Sequence, residues 1–286
     1  MPELPEVETI VQGLAPVLTG LTVADLFILD ARDVLGDVVS FQQRVLGQAI
    51  TAVRRRGKLV VVDLASQDVL VFHLKMTGRL WFAPNDAQPG PHTVAAFVFD
   101  SFEMLLFDDQ RRFGYTGVFS PDGLRQWDYW AGLGPEPLQI TPQEMAESLA
   151  DRKAVIKAML LDQTVVAGVG NIYADESLHR AGIHPRERAN TIGTARLERL
   201  FSCLQEVLLE ALAAGGSSIR DYRNAFGRHG RFQEDFAVYG RAGKHCRICS
   251  TTLEKASVAG RTTTFCPQCQ PFSLGGSVLR NSARMR

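Results

Sequence analysis

The chain has 286 residues, is 45% hydrophobic and carries 31 basic and 31 acidic side chains, a formal net charge of zero. That length buries a substantial core and predicts two domains, because single cores seldom grow past roughly 250–300 residues. No stretch approaches the roughly 20 apolar residues of a membrane span, and the start lacks the basic-then-apolar pattern of a secretory signal, so the expectation is a cytoplasmic chain with no membrane partner.

The chain opens MPELPEVETI. Pro5 followed by Val7, Ile10, Val11 and Leu14 predicts an amphipathic helix, with Glu6 and Glu8 opposing the helix dipole in its first turn. That accounts for everything except Pro2 and Glu3, which lie before the helix. From about Leu21 to Phe119, short runs rich in Val, Ile, Leu and Phe (LTVADLFIL, KLVVVDL, VLVFHL, VAAFVF, MLLF) alternate with Gly, Pro, Asn and Asp clusters, which predicts a β-sandwich or barrel. The passage LGPEPLQITP after Trp130 reads as a linker. Beyond it the pattern is helical: Thr141 as N-cap, Pro142 at the first position and Glu144 three residues after the cap start one helix. DRKAVIKAMLL, NIYADESLHRAG and a long helix over about 194–214, ended by Gly215 and Gly216, follow.

Cys246-x-x-Cys249 and Cys266-x-x-Cys269 are separated by 16 residues. That spacing predicts a four-thiolate zinc ribbon, in which one structural ion ties together a hairpin too small for its own core. Disulfides fit poorly with a cytosolic chain; Cys203 is left as a lone buried helix thiol. Residues 217–286 hold 12 Lys and Arg against 4 Asp and Glu, so this segment is +8 and the rest −8. With Arg261 placed at the tip of the cysteine hairpin, nucleic acid is the favoured partner.

The start of the chain then acquires a chemical reading. Removal of Met1 leaves Pro2 with a secondary amine that titrates near neutrality, unlike lysine, and is therefore partly nucleophilic. Attack on a sugar C1′ expels the base, gives an iminium ion and acidifies the C2′ proton. Such a sequence needs a proton shuttle, and Glu3 is one peptide bond away. Glu6 could cap the helix or polarise the amine.

Taken together, MPELPEVET, RRGKLVVVDL, HLKMTGRL, DDQRRFG, GVGNIYADESL, AGIHP, VYGRAGKHC and the AGRTTTFCPQC finger occur in the order found in bacterial formamidopyrimidine-DNA glycosylases. The chain resembles that family over essentially its whole length, and Leu4 in PELPEVE is similar to the branch acting on oxidised purines. The resemblance implies an α+β fold: an N-terminal β-sandwich with a leading helix (1–130), a linker (131–140), a helix-two-turn-helix DNA-binding domain with a lesion-capping loop (141–240), and a zinc finger with its tail (241–286). DNA would lie in the cleft between domains. It also implies base-excision repair of double-stranded DNA by a monomeric glycosylase and apurinic/apyrimidinic lyase, at the bacterial nucleoid, with β- and δ-elimination after Schiff-base formation.

By the same resemblance Pro2 is the nucleophile, Glu3 the proton donor and Glu6 an acid that helps hold nucleophile and sugar. Lys58 serves β-elimination and phosphate contact, and Arg261 holds the phosphates flanking the lesion and serves δ-elimination. Met76, Arg111 and Phe113 fill the hole left by the flipped base. His92, Arg152, Lys157 and Asn171 are DNA contacts; Asn171 could equally be a helix N-cap. SSIRDYRNAFGRHGRFQEDF would fold over the flipped base, with Gly227 and Gly230 lending it mobility. Two departures from the family pattern stand out: Gln110 replaces the proline of DPRRFG, which predicts a less rigid wedge loop, and the lesion loop is unusually basic (Arg223, Arg228, His229, Arg231). Two other readings keep part of this: an endonuclease VIII-like preference for oxidised pyrimidines, and a zinc-ribbon protein that binds damage without cutting.

Overall fold

The computed structural model describes residues 1–84, 87–219 and 222–272. Arg220 and Asp221 of the basic loop, and residues 273–286 of the basic tail, lie outside the described residues. The chain forms two compact units, one of Met1–Glu136 with Leu208–Asp235 and one of Pro137–Val207 with Phe236–Arg286. No helix among the described residues is long and apolar enough to cross a membrane.

The first unit begins with α1 (Leu4–Leu18), capped by Glu3, with Pro5 in its first turn; it buries Leu4, Val7, Ile10, Val11, Leu14 and Leu18. Then come β1 (Val23–Ile28), α2 (Val38–Val45), β2 (Ile50–Arg56), β3 (Leu59–Leu64), β4 (Val69–His73), β5 (Gly78–Ala83), β6 (Thr93–Phe99), β7 (Met104–Asp109) and β8 (Tyr115–Phe119). The strands make two four-stranded sheets, ordered β1-β6-β7-β5 and β2-β3-β4-β8, and each pairing is antiparallel. This is the expected sandwich.

The continuous apolar runs of β3 and β4 follow from coverage on both faces. Val60, Val62, Leu70 and Phe72 enter the main core with α1, while Leu59, Val61, Val69 and Val71 meet Leu124, Trp127 and Trp130. Those last residues sit on or beside α3 (Pro121–Gln126) and α4 (Asp128–Ala131). The sequence reading did not include α2, α3 or α4. They are one or two turns long, too short for a 3.6-residue period to stand out, and the signal of α2 and α3 is the cap: Asp37 accepts the Ser40 N–H at 2.7 Å and Ser120 the Gly123 N–H at 3.1 Å.

In the second unit α5 (Pro142–Leu149) has the expected capping box, with Glu144 N–H donating to Thr141 Oγ1 at 3.2 Å and Thr141 N–H to Glu144 Oε2 at 2.9 Å. α6 (Ile156–Leu161) and α7 (Asn171–Ala181) follow, α8 (Thr194–Ala213) starts in this unit and ends in the first, and the finger is a hairpin of β9 (Glu254–Val258) and β10 (Arg261–Phe265).

Phe72 is the hub of the sandwich core, with edge-on ring contacts to Phe97 and Phe107 at 5.6 Å each. Phe72→Ala is expected to lower the unfolding free energy by about 3–5 kcal/mol, measured as the shift of the urea midpoint at unchanged slope.

Candidate active site and metal centre

Pro2 and Glu3 are buried ahead of α1, and Met1 is exposed. Glu6 resolves as a cap and more. Its Oε2 accepts the Glu3 N–H at 2.8 Å and its Oε1 accepts the Ser217 N–H at 2.8 Å, so one carboxylate joins the N-terminus to the loop that follows α8. Gly216 at φ +80° lies against Glu6, and a Cβ there would come within 3.0 Å of Oε1, so only glycine fits this approach. Tyr222 donates its hydroxyl to the Glu6 carbonyl at 3.2 Å; burial pushes the phenol up, which keeps it a donor.

Described residues of the loop over 217–235 are tied to their surroundings at several points. Ala225 is buried in the sandwich core and its carbonyl accepts the Phe82 N–H at 3.0 Å. Ser218 Oγ accepts the Gly230 N–H at 2.9 Å, and a Cβ at Gly230 would strike the Gly216 carbonyl at 2.2 Å. Gly230 therefore permits close packing, where the sequence suggested mobility.

Lys58 lies in the two-residue turn between β2 and β3 and is 4% exposed. The turn is packed from below by the arginines that precede it. Arg55 donates to Glu8 Oε2 at 2.8 Å and to the Gly57 carbonyl at 2.9 Å. Beneath it Glu136, from GPEP, pairs with Arg55 at 2.6 Å and Arg56 at 3.0 Å and accepts the Gly57 N–H at 2.7 Å. Burial opposes ionisation of Glu136, but Arg55, the Gly57 N–H and Arg56 hold its carboxyl below the ordinary carboxylate range.

The chain crosses between the sheets after β4 and again after β7, and these crossings carry Met76 and the Arg111–Phe113 segment. Asp109, fully buried, ties them together. It accepts the Thr77 hydroxyl at 2.5 Å and the N–H groups of Arg111 at 3.2 Å, Phe113 at 2.8 Å and Gly114 at 2.6 Å. Met76 (42% exposed) and Phe113 (55% exposed) project as apolar groups in water, and the Arg111 guanidinium sits 4.8 Å from the Phe113 ring centre. Exposed His92 joins this corner through its carbonyl, which accepts the Asp109 N–H at 2.9 Å.

In the second unit the N-cap of α7 is Gly170, so Asn171 is the first helical residue and not the cap. Its side-chain amide donates to the Thr262 carbonyl at 2.9 Å, which brings it beside exposed Arg261, the first residue after the Ala259-Gly260 turn. Asn171 Oδ1 is buried with no hydrogen-bond partner among the described residues. Arg152 is exposed at the loop after α5. Lys157, expected as a DNA contact, is fully buried: its ammonium donates to Asp175 at 2.5 Å and to Thr263 Oγ1 at 2.6 Å. An ammonium enclosed in this way holds β10 in place and does not reach a phosphate in solvent. Asp175 also accepts the Thr264 N–H at 3.1 Å; burial, against the pull of Lys157, pushes its carboxyl up to about 6.

Sequence reasoning passed over Asp109, Glu136, Asp175 and Glu176. Each is an acid beside a turn or on a helix, which composition alone cannot tell from a solvated one.

The sulfurs of Cys246, Cys249, Cys266 and Cys269 lie within 4.8 Å of one another, with neighbouring pairs at 3.4, 3.5 and 3.9 Å. A tetrahedral zinc–thiolate centre has sulfurs about 3.8 Å apart, so the four residues fit one zinc ion. Held there, zinc supplies a structural crosslink for the β9–β10 hairpin.

Residues 1–116 match the family described as the formamidopyrimidine-DNA glycosylase N-terminal domain, 133–223 the formamidopyrimidine-DNA glycosylase H2TH domain, and 243–271 a zinc finger found in FPG and IleRS. The chain is 44% identical to a formamidopyrimidine-DNA glycosylase of Chloroflexus aggregans, covering 94% of this chain and 98% of that one. It is 39% identical to that of Nitratidesulfovibrio vulgaris, covering 94% and 100%. Among solved structures, Lactococcus lactis Fpg in complex with DNA containing an abasic site superposes with a TM-score of 0.88 at 34% identity, covering 94% of this chain and all of that one.

Asp109→Ala removes the acceptor of three amides and a hydroxyl. The expected cost is about 2–3 kcal/mol of stability, with amide hydrogen-exchange protection lost at Arg111, Phe113 and Gly114 while the β2–β3 hairpin keeps its own.

Proposed function

The chain belongs to the formamidopyrimidine-DNA glycosylase family, and on that premise we propose that it removes 8-oxoguanine and formamidopyrimidines from duplex DNA through a covalent bond to Pro2. It is a base-excision repair enzyme, a glycosylase and apurinic/apyrimidinic lyase acting on damaged DNA. The observation that carries the finer reading is the buried Pro2-Glu3 pair at the front of α1, fixed by Glu6 from two directions.

Here the Pro2 nitrogen is in peptide linkage to exposed Met1, and removal of Met1 frees the amine. Its lone pair forms a bond to C1′ as the glycosidic bond breaks, and that electron pair leaves with the base. Glu3 gives a proton as the sugar ring opens to the iminium. Loss of the C2′ proton then expels the 3′ phosphate, with Lys58 serving this step, and a second elimination expels the 5′ phosphate, leaving a one-nucleotide gap. Glu6 supports the reaction by holding Glu3 and Ser217 still, because a small misplacement of reacting atoms costs rate steeply.

Flipping a base out of the duplex costs a few kcal/mol. Met76 and Phe113 are apolar and exposed, and Asp109 ties the Thr77 hydroxyl and the Phe113 amide behind them, which suits a wedge; Arg111 supplies hydrogen bonds to the orphaned cytosine. Arg261 and Asn171 hold phosphates, with His92 and Arg152 as further contacts. Lys157 contributes by fixing β10 behind Arg261. We read the enzyme as a monomer working in the bacterial cytoplasm at the nucleoid; zinc is structural and enters no chemical step.

Borohydride trapping on an 8-oxoguanine duplex, followed by peptide mapping, is expected to give one adduct at Pro2, lost when Met1 is retained or the terminus is acetylated. An adduct at Lys58 would reassign the nucleophile, and faster excision of oxidised pyrimidines would reassign the substrate. Arg261→Ala is expected to lower the slope of log K against log salt by about one and to slow strand cleavage; an unchanged slope would remove Arg261 from the phosphates.

A further inference from the structure

Helix α7 meets the finger along a single face. Asn171, Asp175 and His179 are spaced at i, i+4 and i+8, so they stack on one side of the helix. The first donates to the Thr262 carbonyl and the second accepts the Thr264 N–H. His179 is 3% exposed, and its Nε2 lies 3.6 Å from Cys246 Sγ. The ligand-capable atoms that share one centre are the four sulfurs, and the sulfur His179 meets is Cys246. This marks His179 as a neighbour of a ligand, not as a ligand.

A zinc-bound cysteine carries no proton and can only accept, so the imidazole nitrogen facing it must bear the hydrogen. Cys246 already accepts the Ile248 N–H of its own knuckle at 3.4 Å. We propose that His179 is a positioning residue of the metal centre, donating Nε2–H to the Cys246 thiolate and thereby fastening the zinc ion itself, as well as β10, to α7. Four thiolates around one Zn²⁺ leave a net charge of −2 to be stabilised, and an N–H donor inside a dry contact withdraws charge from one sulfur and excludes water from it. The finger is then held by α7 at three heights: near the turn that carries Arg261, in mid-strand, and at the metal.

The test uses zinc-loaded full-length protein. His179→Phe keeps the bulk and removes the donor; it is expected to raise the zinc dissociation constant about 10-fold or more, speed zinc release to a chelator, and move the thiolate-to-metal charge-transfer bands of the cobalt(II)-substituted protein to lower energy. His179→Gln, which keeps an N–H, should lie closer to the parent in all three. Release rate and cobalt spectrum both unchanged in His179→Phe would overturn the proposal. A measurement without substitution covers a variant that does not fold. In ¹⁵N-histidine-labelled, ¹¹³Cd-substituted protein, His179 should be an Nε2–H donor with scalar coupling to the metal, and a neutral Nδ1–H tautomer would overturn the assignment as surely. Neither result bears on Pro2.

Discussion

A carboxylate that leaves water must be given donors, and in this protein nearly every segment assigned to function hangs on one that has been. Burial disfavours the charged form strongly, whereas two or three backbone N–H groups aimed at the oxygens restore it. Glu6 takes the amides of Glu3 and Ser217. Asp109 takes those of Arg111, Phe113 and Gly114, and Glu136 takes Gly57. Glu176, buried on α7, takes the amides of Ala237, Val238 and Tyr239 at 2.7–3.0 Å, the approach to the finger. Turns cannot satisfy their own amides through a helix or sheet ladder, so a buried acid at the centre of a turn is at once its acceptor and its template.

This arrangement separates aiming from touching. Met76, Phe113, Arg111 and Arg261 are exposed or half-exposed, while the groups that set their backbone direction are buried behind them. Lys58 and Lys157 show that a basic residue in a DNA-binding chain need not lie on its surface. The Lys157 ammonium is neutralised inside the second unit by Asp175, and its effect on a partner passes through the strand it holds.

The sandwich, the capped helix at Thr141, the long helix and the four-cysteine centre were legible in the sequence because each has a local signature: alternating or continuous apolar runs, S/T-x-x-E, Gly-Gly, C-x-x-C. The short helices α2, α3 and α4 were not, since a turn or two carries no period. Of the site, the exposed side chains are legible as motif residues, whereas the acceptor roles of the buried acids behind them are not. Asp109 and Glu136 act on amides two to five residues away or on a turn about eighty residues distant, and only the folded chain brings those groups together. Asn171 is a case in point: a helix-start Asn reads as a cap, yet Gly170, in extended conformation, takes that place, and the Asn amide bonds β10 instead.

Gln110 brings these strands together. Where the family pattern has proline, a fixed φ limits the wedge loop; here the sequence alone suggests slack. The loop is nonetheless bounded on every side, because its amides at Arg111, Phe113 and Gly114 converge on Asp109, and Arg112 adopts φ +57°. A left-handed non-glycine residue costs about 1–2 kcal/mol and persists only where its surroundings fix it. The Arg112 guanidinium lies 3.5 Å from Asp30 and 3.6 Å from Asp33, which draws that side chain back onto the sandwich and leaves Arg111 and Phe113 to face outward on either side of it. Whatever residue stands at 110, this corner is tied down by the acids beneath the loop.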